Sequence, residues 1–214
     1  MKLLHIAASP RTESSRTRSV ADAFLSTFQD RYSDASVEEV DVFRSDLPDL
    51  TVRKQGDEFQ TLGPDRLSGD PEEAWAPVER EIERVKQADL LLISTPMWNF
   101  QIPYRLKHFI DLIVQPGYTF QYTADGPDGL LDASAVVVTS RGGDYSDGSG
   151  AEHLDFQAPY LETILGFVGV DDVEMVHAQP MDSGDESVKQ EALRDARERA
   201  KEAVPAIDRA KLAS

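Results

Sequence analysis

The sequence predicts a doubly wound α/β fold, a parallel sheet with helices packed on both faces. Three observations lead to it. Short apolar runs alternate with segments of helical periodicity along most of the chain. Two of the runs, Leu90-Leu91-Leu92-Ile93 and Ala135-Val136-Val137-Val138, are continuously apolar, as strands covered on both faces require. Three of the runs are followed directly by loops rich in hydroxyls, in aromatic and amide side chains, or in glycine.

The first strand is read over Leu3 to Ala8, and a helix over Ser19 to Tyr32 from the spacing of Val20, Ala23, Phe24, Leu25 and Phe28. Val37 to Phe43 alternates valine with acid and reads as a more exposed strand. Leu50 to Pro71 is polar and rich in Gly, Asp and Pro, so it is expected to be an insertion holding a short helix. Pro71-Glu72-Glu73 opens a helix to about Ala88, with acids placed against the positive helix end. Asp89 to Thr95 is a buried strand, Pro103 to Val114 a helix with proline in its first turn, and Ala135 to Thr139 another buried strand. Pro159 to Val168 reads as an apolar helix, Val173 to Ala178 as the last strand, and Ser187 to Leu212 as a charged helix that Pro205 should kink or end. Five strands joined by right-handed crossovers favour the flavodoxin-like order 2-1-3-4-5 within a single domain spanning residues 1–214.

Composition narrows the function. Hydrophobic residues at 40% supply a core. The absence of cysteine excludes disulfides, thiolate nucleophiles and iron–sulfur clusters. Lys plus Arg total 22 against 39 Asp plus Glu, a net charge of -17 that repels nucleic acid and anionic membranes. Such acid, spread along the chain, suits the heavily hydrated surface of a high-salt cytoplasm; an ordinary acidic protein is the alternative. No apolar run approaches the roughly 18–20 residues of a membrane span. Met1 to Ala8 is too short for a signal peptide and runs straight into Ser9-Pro10-Arg11, so a cytoplasmic location is expected.

In an open α/β sheet, ligands bind beyond the carboxyl ends of the strands. Ser9-Pro10-Arg11-Thr12-Glu13-Ser14-Ser15-Arg16-Thr17 combines hydroxyls with a helix start, which suits a monophosphate, with Arg11 or Arg16 adding charge. It has no glycine, so neither a Walker loop nor a dinucleotide fingerprint fits, and helix capping by Ser14 or Ser15 would also explain it. Pro96-Met97-Trp98-Asn99-Phe100-Gln101-Ile102-Pro103 offers apolar faces and amides to a flat heteroaromatic ring, or else caps the core. Thr139-Ser140-Arg141-Gly142-Gly143-Asp144-Tyr145 lets backbone approach a ligand closely, or else is a glycine turn.

Six separated motifs, in order, resemble the FMN-dependent NADH:azoreductases, which also reduce quinones. They are Pro96 to Phe100, Leu106-Lys107-His108-Phe109-Ile110-Asp111, Gly117-Tyr118-Thr119-Phe120-Gln121-Tyr122, Gly126-Pro127-Asp128-Gly129-Leu130, Thr139 to Gly143, and Pro159-Tyr160-Leu161 with Leu165-Gly166-Phe167. The resemblance implies that Ser9 and Ser15-Arg16-Thr17 hold the FMN phosphate. It implies that Pro96, Met97, Trp98, Asn99 and Phe100 line the isoalloxazine, and that Ser140, Arg141, Gly142 and Gly143 meet its pyrimidine side. It also implies ping-pong hydride transfer from NADH or NADPH to quinones or azo compounds, and a homodimer with the flavin at its interface. Phe120, Tyr122 and Phe167 are candidates for the substrate walls, with core packing the alternative for each. Trp98 stands where the family usually has Tyr, and Leu50 to Pro71 matches poorly, which leaves substrate preference open. No side-chain nucleophile is required.

Other constellations fit nothing. Gly148-Ser149-Gly150 lacks the spacing of a nucleophile elbow, and His5, His108, His153 and His177 show no metal-ligand spacing. His5 and His177 fall in strands, where satisfied structural roles are expected. The competing functions are an NADPH:quinone reductase without azo activity and a flavodoxin-type electron carrier.

Overall fold

Side chains alternate across a strand, so a strand buried on both faces feeds two cores in turn. The computed structural model describes residues 1–11, 14–62 and 69–211, with 205–211 as backbone alone. Along the chain lie β1 (Lys2–Ala7), α1 (Arg16–Arg31), β2 (Ser36–Asp41), β3 (Val52–Gln55), β4 (Glu58–Thr61), α2 (Pro71–Lys86) and β5 (Leu90–Pro96). Then come α3 (Tyr104–Ile113), β6 (Phe120–Thr123), β7 (Gly126–Gly129), β8 (Ser134–Ser140), α4 (Ala158–Phe167), β9 (Val173–Ala178) and α5 (Glu186–Lys211). The main sheet is parallel in the order β2-β1-β5-β8-β9, which is 2-1-3-4-5 once the two small hairpins are left out of the count.

The alternation divides the core. Leu91 and Ile93 point with Leu4, Ile6 and Val137 into the layer closed by Trp75, Val78 and Ile82 of α2, by Leu106 and Phe109 of α3, and by Leu161 and Leu165 of α4. Leu90 and Leu92 point with Leu3, Val136 and Val138 into the opposite layer, closed by Val20, Phe24 and Phe28 of α1 and by Ala196 and Ala200 of α5. Each fully buried large side chain contributes roughly 1.5–3 kcal/mol, and both helix layers are needed to hide the sheet.

Two expectations are corrected. The described part of Leu50 to Pro71 holds no helix before α2; it forms the antiparallel β3–β4 hairpin, and residues 63–68 lie outside the described residues. Gly56, at φ 60°, supplies the positive φ needed at the first central position of a two-residue turn. Val52 is buried, Phe59 packs on the core, and Lys54 lies over the Phe59 ring, 5.7 Å from its centroid. A short alternating pattern around one Gly-Asp pair was therefore hidden by the segment's polarity. Of the two effects expected of Pro205, a kink or an end, the end is not found: the last helix continues to Lys211. Thr12 and Glu13 of the first loop and Leu212 lie outside the described residues.

After the β6–β7 hairpin the chain crosses the end of α4 at van der Waals range. The amide of Leu131 donates to the Val168 carbonyl at 2.9 Å. A Cβ added to Gly129 would lie 2.1 Å from the backbone nitrogen of Gly169, so nothing larger than hydrogen fits without parting the two segments. Gly129→Ala is expected to destabilise by about 3 kcal/mol or more. Gly166→Ala, whose Cβ would meet only Asp171 Oδ1 at 3.9 Å, should be neutral or stabilising by about 0.5–1 kcal/mol. Urea unfolding of the two variants checks both.

Candidate functional site

A helix leaves its first amides without intrahelical acceptors. At α1 one of them is answered by Ser15, the N-cap, whose Oγ accepts from the Arg18 amide at 3.1 Å and donates to Ser9 Oγ at 3.0 Å. Capping by Ser15 is thus real, yet it leaves the amides of Arg16 and Thr17 without intrahelical acceptors beside two hydroxyls. Thr17 Oγ1 lies 2.6 Å from Ser140 Oγ and joins the first loop to the third. Arg16 is already engaged, donating from Nη1 to the Met181 carbonyl at 2.5 Å and to Asp182 Oδ1 at 2.9 Å. Arg11 has no ion-pair partner among the described residues, which leaves it as the free cation of this loop.

The second loop turns tightly. Trp98 and Gln101 exchange backbone hydrogen bonds of 2.8 and 3.0 Å around Asn99 (φ 48°) and Phe100 (φ 70°). Positive φ is tolerable for asparagine and costly for phenylalanine, and side chains are held so where the surroundings over-determine them. The determinants are present: the Phe100 carbonyl accepts from the Phe156 amide at 3.2 Å, and its ring meets Tyr145 edge-on at 6.4 Å. Trp98 packs edge-on against Phe43 at 5.6 Å.

The third loop is stitched to its neighbours by backbone. Ser140 O accepts from the Met97 amide at 2.9 Å, Arg141 N donates to Ala178 O at 3.0 Å, and Met181 N donates to Arg141 O at 2.9 Å. The Arg141 guanidinium is 1% exposed and pairs with Asp155 at 2.8 Å. Its side chain is therefore bound up within the protein.

The three loops enclose one open cavity of about 230 Å³. Ser9, Arg11, Ser15, Arg16 and Thr17 line one part of it, and Pro96, Met97, Trp98, Ser140, Arg141 and Gly142 another. Asn99 lines a neighbouring groove of about 450 Å³ with Tyr104 and Tyr160, and Trp98 borders both spaces. Phe100 and Gly143 border neither. Phe120, Tyr122 and Phe167 form a separate aromatic cluster, with Phe120 4.6 Å from Phe167 and 5.4 Å from Tyr122. Met181 and Asp182, also on the cavity wall, escaped the sequence reading. They follow β9, and the rule that ligand loops leave strand carboxyl ends would have found them had it been applied to the fourth such strand.

The donor set fits FMN. Hydroxyls, a helix N-terminus and a free arginine suit a monophosphate; Met97, Trp98 and backbone at Ser140 to Gly142 suit the edge and face of a planar ring. Arg141 Nη2 is, besides, a buried donor with no hydrogen-bond partner among the described residues. Among the described residues no group of three His, Asp or Glu could hold a metal ion, and no helix is long and apolar enough to cross a membrane.

Two histidines are tied into the sheet. His5, fully buried, places Nε2 2.8 Å from Ser94 Oγ and Nδ1 3.1 Å from Glu39 Oε2. That hydrogen bond, with help from Arg18 and against partial burial, draws the Glu39 carboxyl down to about 2. His177 Nδ1 lies 2.8 Å from Thr139 Oγ1. Burial, reinforced by the Arg141 cation, depresses its pKa to about 4. Folded His177 thus binds its proton less readily than the unfolded chain, whose histidine titrates near 6.5. Its stabilising contribution is complete above pH 6.5 and is lost as pH falls toward 4, on the order of 3 kcal/mol in all. His177→Asn, which keeps a polar atom near Thr139, should flatten the pH dependence of urea unfolding across that window, leaving the loss at lower pH that Glu39 contributes.

A family model described as a flavodoxin-like fold matches residues 1–204. An FMN-dependent NADH:quinone oxidoreductase of Nitratidesulfovibrio vulgaris is 42% identical over 200 residues, 93% of this chain and 96% of that one. The crystal structure of an azoreductase from Bacillus anthracis superposes with a TM-score of 0.77 at 25% identity, covering 94% of this chain and 99% of the other. A second B. anthracis structure, an FMN-dependent NADH-azoreductase in complex with FMN, has a TM-score of 0.81 at 24% identity over 96% and 98% of the two chains, a likeness of fold. The ordered motifs, the sheet order and these relatives agree: this chain belongs to the FMN-dependent NADH:quinone oxidoreductase and azoreductase family, on a flavodoxin-like fold.

Proposed function

We propose that this protein is an FMN-dependent oxidoreductase carrying electrons from NADH or NADPH to quinones and azo compounds. The observation that carries the reading is the single cavity in which the loops after β1, β5 and β8 meet, with hydroxyls and a helix N-terminus in one part and Met97, Trp98 and loop backbone in another. Ser9, Ser15, Thr17, Arg11 and the first amides of α1 would hold the phosphate. Arg16 serves that end indirectly, by clamping the Met181–Asp182 segment beside it. Met97 and Trp98 would border the ring, Asn99 would hydrogen-bond its edge from the adjoining groove, Phe100 would hold the turn that presents them, and the backbone of Ser140 to Gly142 would meet the pyrimidine side. Bound there, FMN would supply two-electron redox chemistry between the nicotinamide and the acceptor, in ping-pong order. The chain's own part is orientation and charge: backbone amides held by the loop-to-loop hydrogen bonds are preorganised donors for negative charge developing at the ring edge.

We further propose a cytoplasmic homodimer. Trp98, Phe100, Tyr104 and Phe156 all stand exposed near the site, an apolar rim that a second copy would cover. Phe120, Tyr122 and Phe167, apart from the cavity within one chain, would serve as substrate walls in that dimer. The dispersed acid is consistent with a high-salt cytoplasm, and a Tm that rises with molar salt is the matching expectation.

The purified protein should show flavin absorption bands, or gain them on adding FMN, and should oxidise NADH with menadione as acceptor. FMN binding without NADH turnover would point to an electron carrier; a colourless protein that FMN cannot reconstitute would end the flavin reading. Asn99→Gly, which adopts the same positive φ without strain, should weaken FMN binding by about tenfold, one hydrogen bond's worth, with little effect on Tm.

A further inference from the structure

A cation removed from water must have its solvation replaced, so a fully buried arginine has a structural reason in the partners it keeps. Arg141 Nε donates to Gln157 Oε1 at 3.2 Å, while Nη1 donates to Asp155 Oδ2 at 2.8 Å and to Gln179 Oε1 at 3.5 Å. Each partner is committed a second time. Asp155 Oδ1 accepts the amides of Gln157 and Ala158 at 2.9 and 3.0 Å and so fixes the start of α4. Gln179 Oε1 accepts the Tyr145 amide at 3.3 Å. Gln157, fully buried, donates from Nε2 to the Pro96 carbonyl at 2.9 Å.

Pro96 and Ser140 are register partners at the carboxyl ends of β5 and β8, where the second and third loops begin. Backbone pairing brings them together, but β5 ends at Pro96, whose nitrogen has no hydrogen to donate. The Pro96 carbonyl accepts from Gln157 Nε2 at 2.9 Å and, more distantly, from Thr95 Oγ1 at 3.2 Å, so among the described residues Gln157 supplies its one hydrogen bond from outside the strand. From the charged side chain of the third loop, a single chain of hydrogen bonds thus reaches the backbone of the second.

We propose that Arg141 is a positioning residue: acting through Gln157, it sets the Pro96–Met97 backbone against the Ser140–Gly142 backbone and so determines the fit of the ring end of the cavity. It works by its forked geometry. A lysine would keep the charge and still could not hold Asp155, Gln157 and Gln179 at once. The inference rests on the FMN reading above, and the two can fail separately.

The test is fluorescence titration of the apoprotein with FMN and with lumiflavin, which carries the ring without the ribityl phosphate. Gln157→Glu keeps an acceptor for Arg141 Nε and sets a carboxylate oxygen against the Pro96 carbonyl. It should weaken both ligands by the same factor, about tenfold. Arg141→Lys should do likewise. Ser9→Ala, at the phosphate end, should weaken FMN and leave lumiflavin unchanged. If Gln157→Glu does not fold by far-UV circular dichroism, Gln157→Met, similar in size and without the amide, is held to the same criterion. Wild-type affinity for lumiflavin in the folded Gln157 variant and in Arg141→Lys overturns the proposal, as does a loss confined to FMN. Wild-type protein that binds lumiflavin but not FMN, or neither, overturns the FMN reading itself.

Discussion

The parallel pairing of β1, β5 and β8 is the constraint on which the rest of this molecule depends. Its register sets Ala7 beside Ser94, and Pro96 beside Ser140, so that three loops far apart in sequence leave the sheet at one edge. The strands can hold that register because their apolar residues are divided between two cores. A slip of one residue would send Leu90 and Leu92 into the layer built for Leu91 and Ile93, and both layers would repack at once. The same two-faced burial that stabilises the sheet therefore also aligns the site.

At that edge, apolar packing gives way to polar connection. Thr17 reaches Ser140, Arg16 reaches Met181 and Asp182, and Gln157 reaches Pro96. On the α1 side, Ser94, His5, Glu39 and Arg18 form a chain across β5, β1 and β2 to the first turn of the helix. Buried polar groups are costly unless matched, and nearly all of these are matched, so the loops are held without a ligand. Among the described residues the cavity lining holds a single carboxylate, Asp182, with which Arg16 pairs; Arg141 is turned inward to Asp155, and Arg11 is left without an ion-pair partner. A phosphorylated ligand would meet one unpaired cation, Arg11, on a protein that repels anions elsewhere.

The turn at Asn99 and Phe100 shows the other side of this arrangement. Two successive residues with positive φ are an energetic concession in a chain that supplies glycine for other turns. The concession presents Asn99 and Trp98 at the mouth of the site, and Phe156 and Tyr145 hold it in place.

The alternation of apolar residues, the continuous runs at Leu90 and Ala135 and the residues at strand ends were enough to determine the five strands of the main sheet, their order and the edge where three loops meet. Spacing is local, and these features depend on spacing. The ordered motifs carried the family in the same way. Tertiary structure alone decided which side chains those loops spend on each other. Arg11 and Arg16 look alike in sequence, yet Arg16 is bound to residues after β9 and Arg11 is not. Arg141 sits in a loop read for its glycines, yet its side chain turns inward to Asp155 and Gln157. The β3–β4 hairpin depended on a core for Val52 and Phe59 to pack against, which a polar stretch does not announce. In each case the partner lies far along the chain, and only the packed sheet and helices bring it within hydrogen-bond or van der Waals reach.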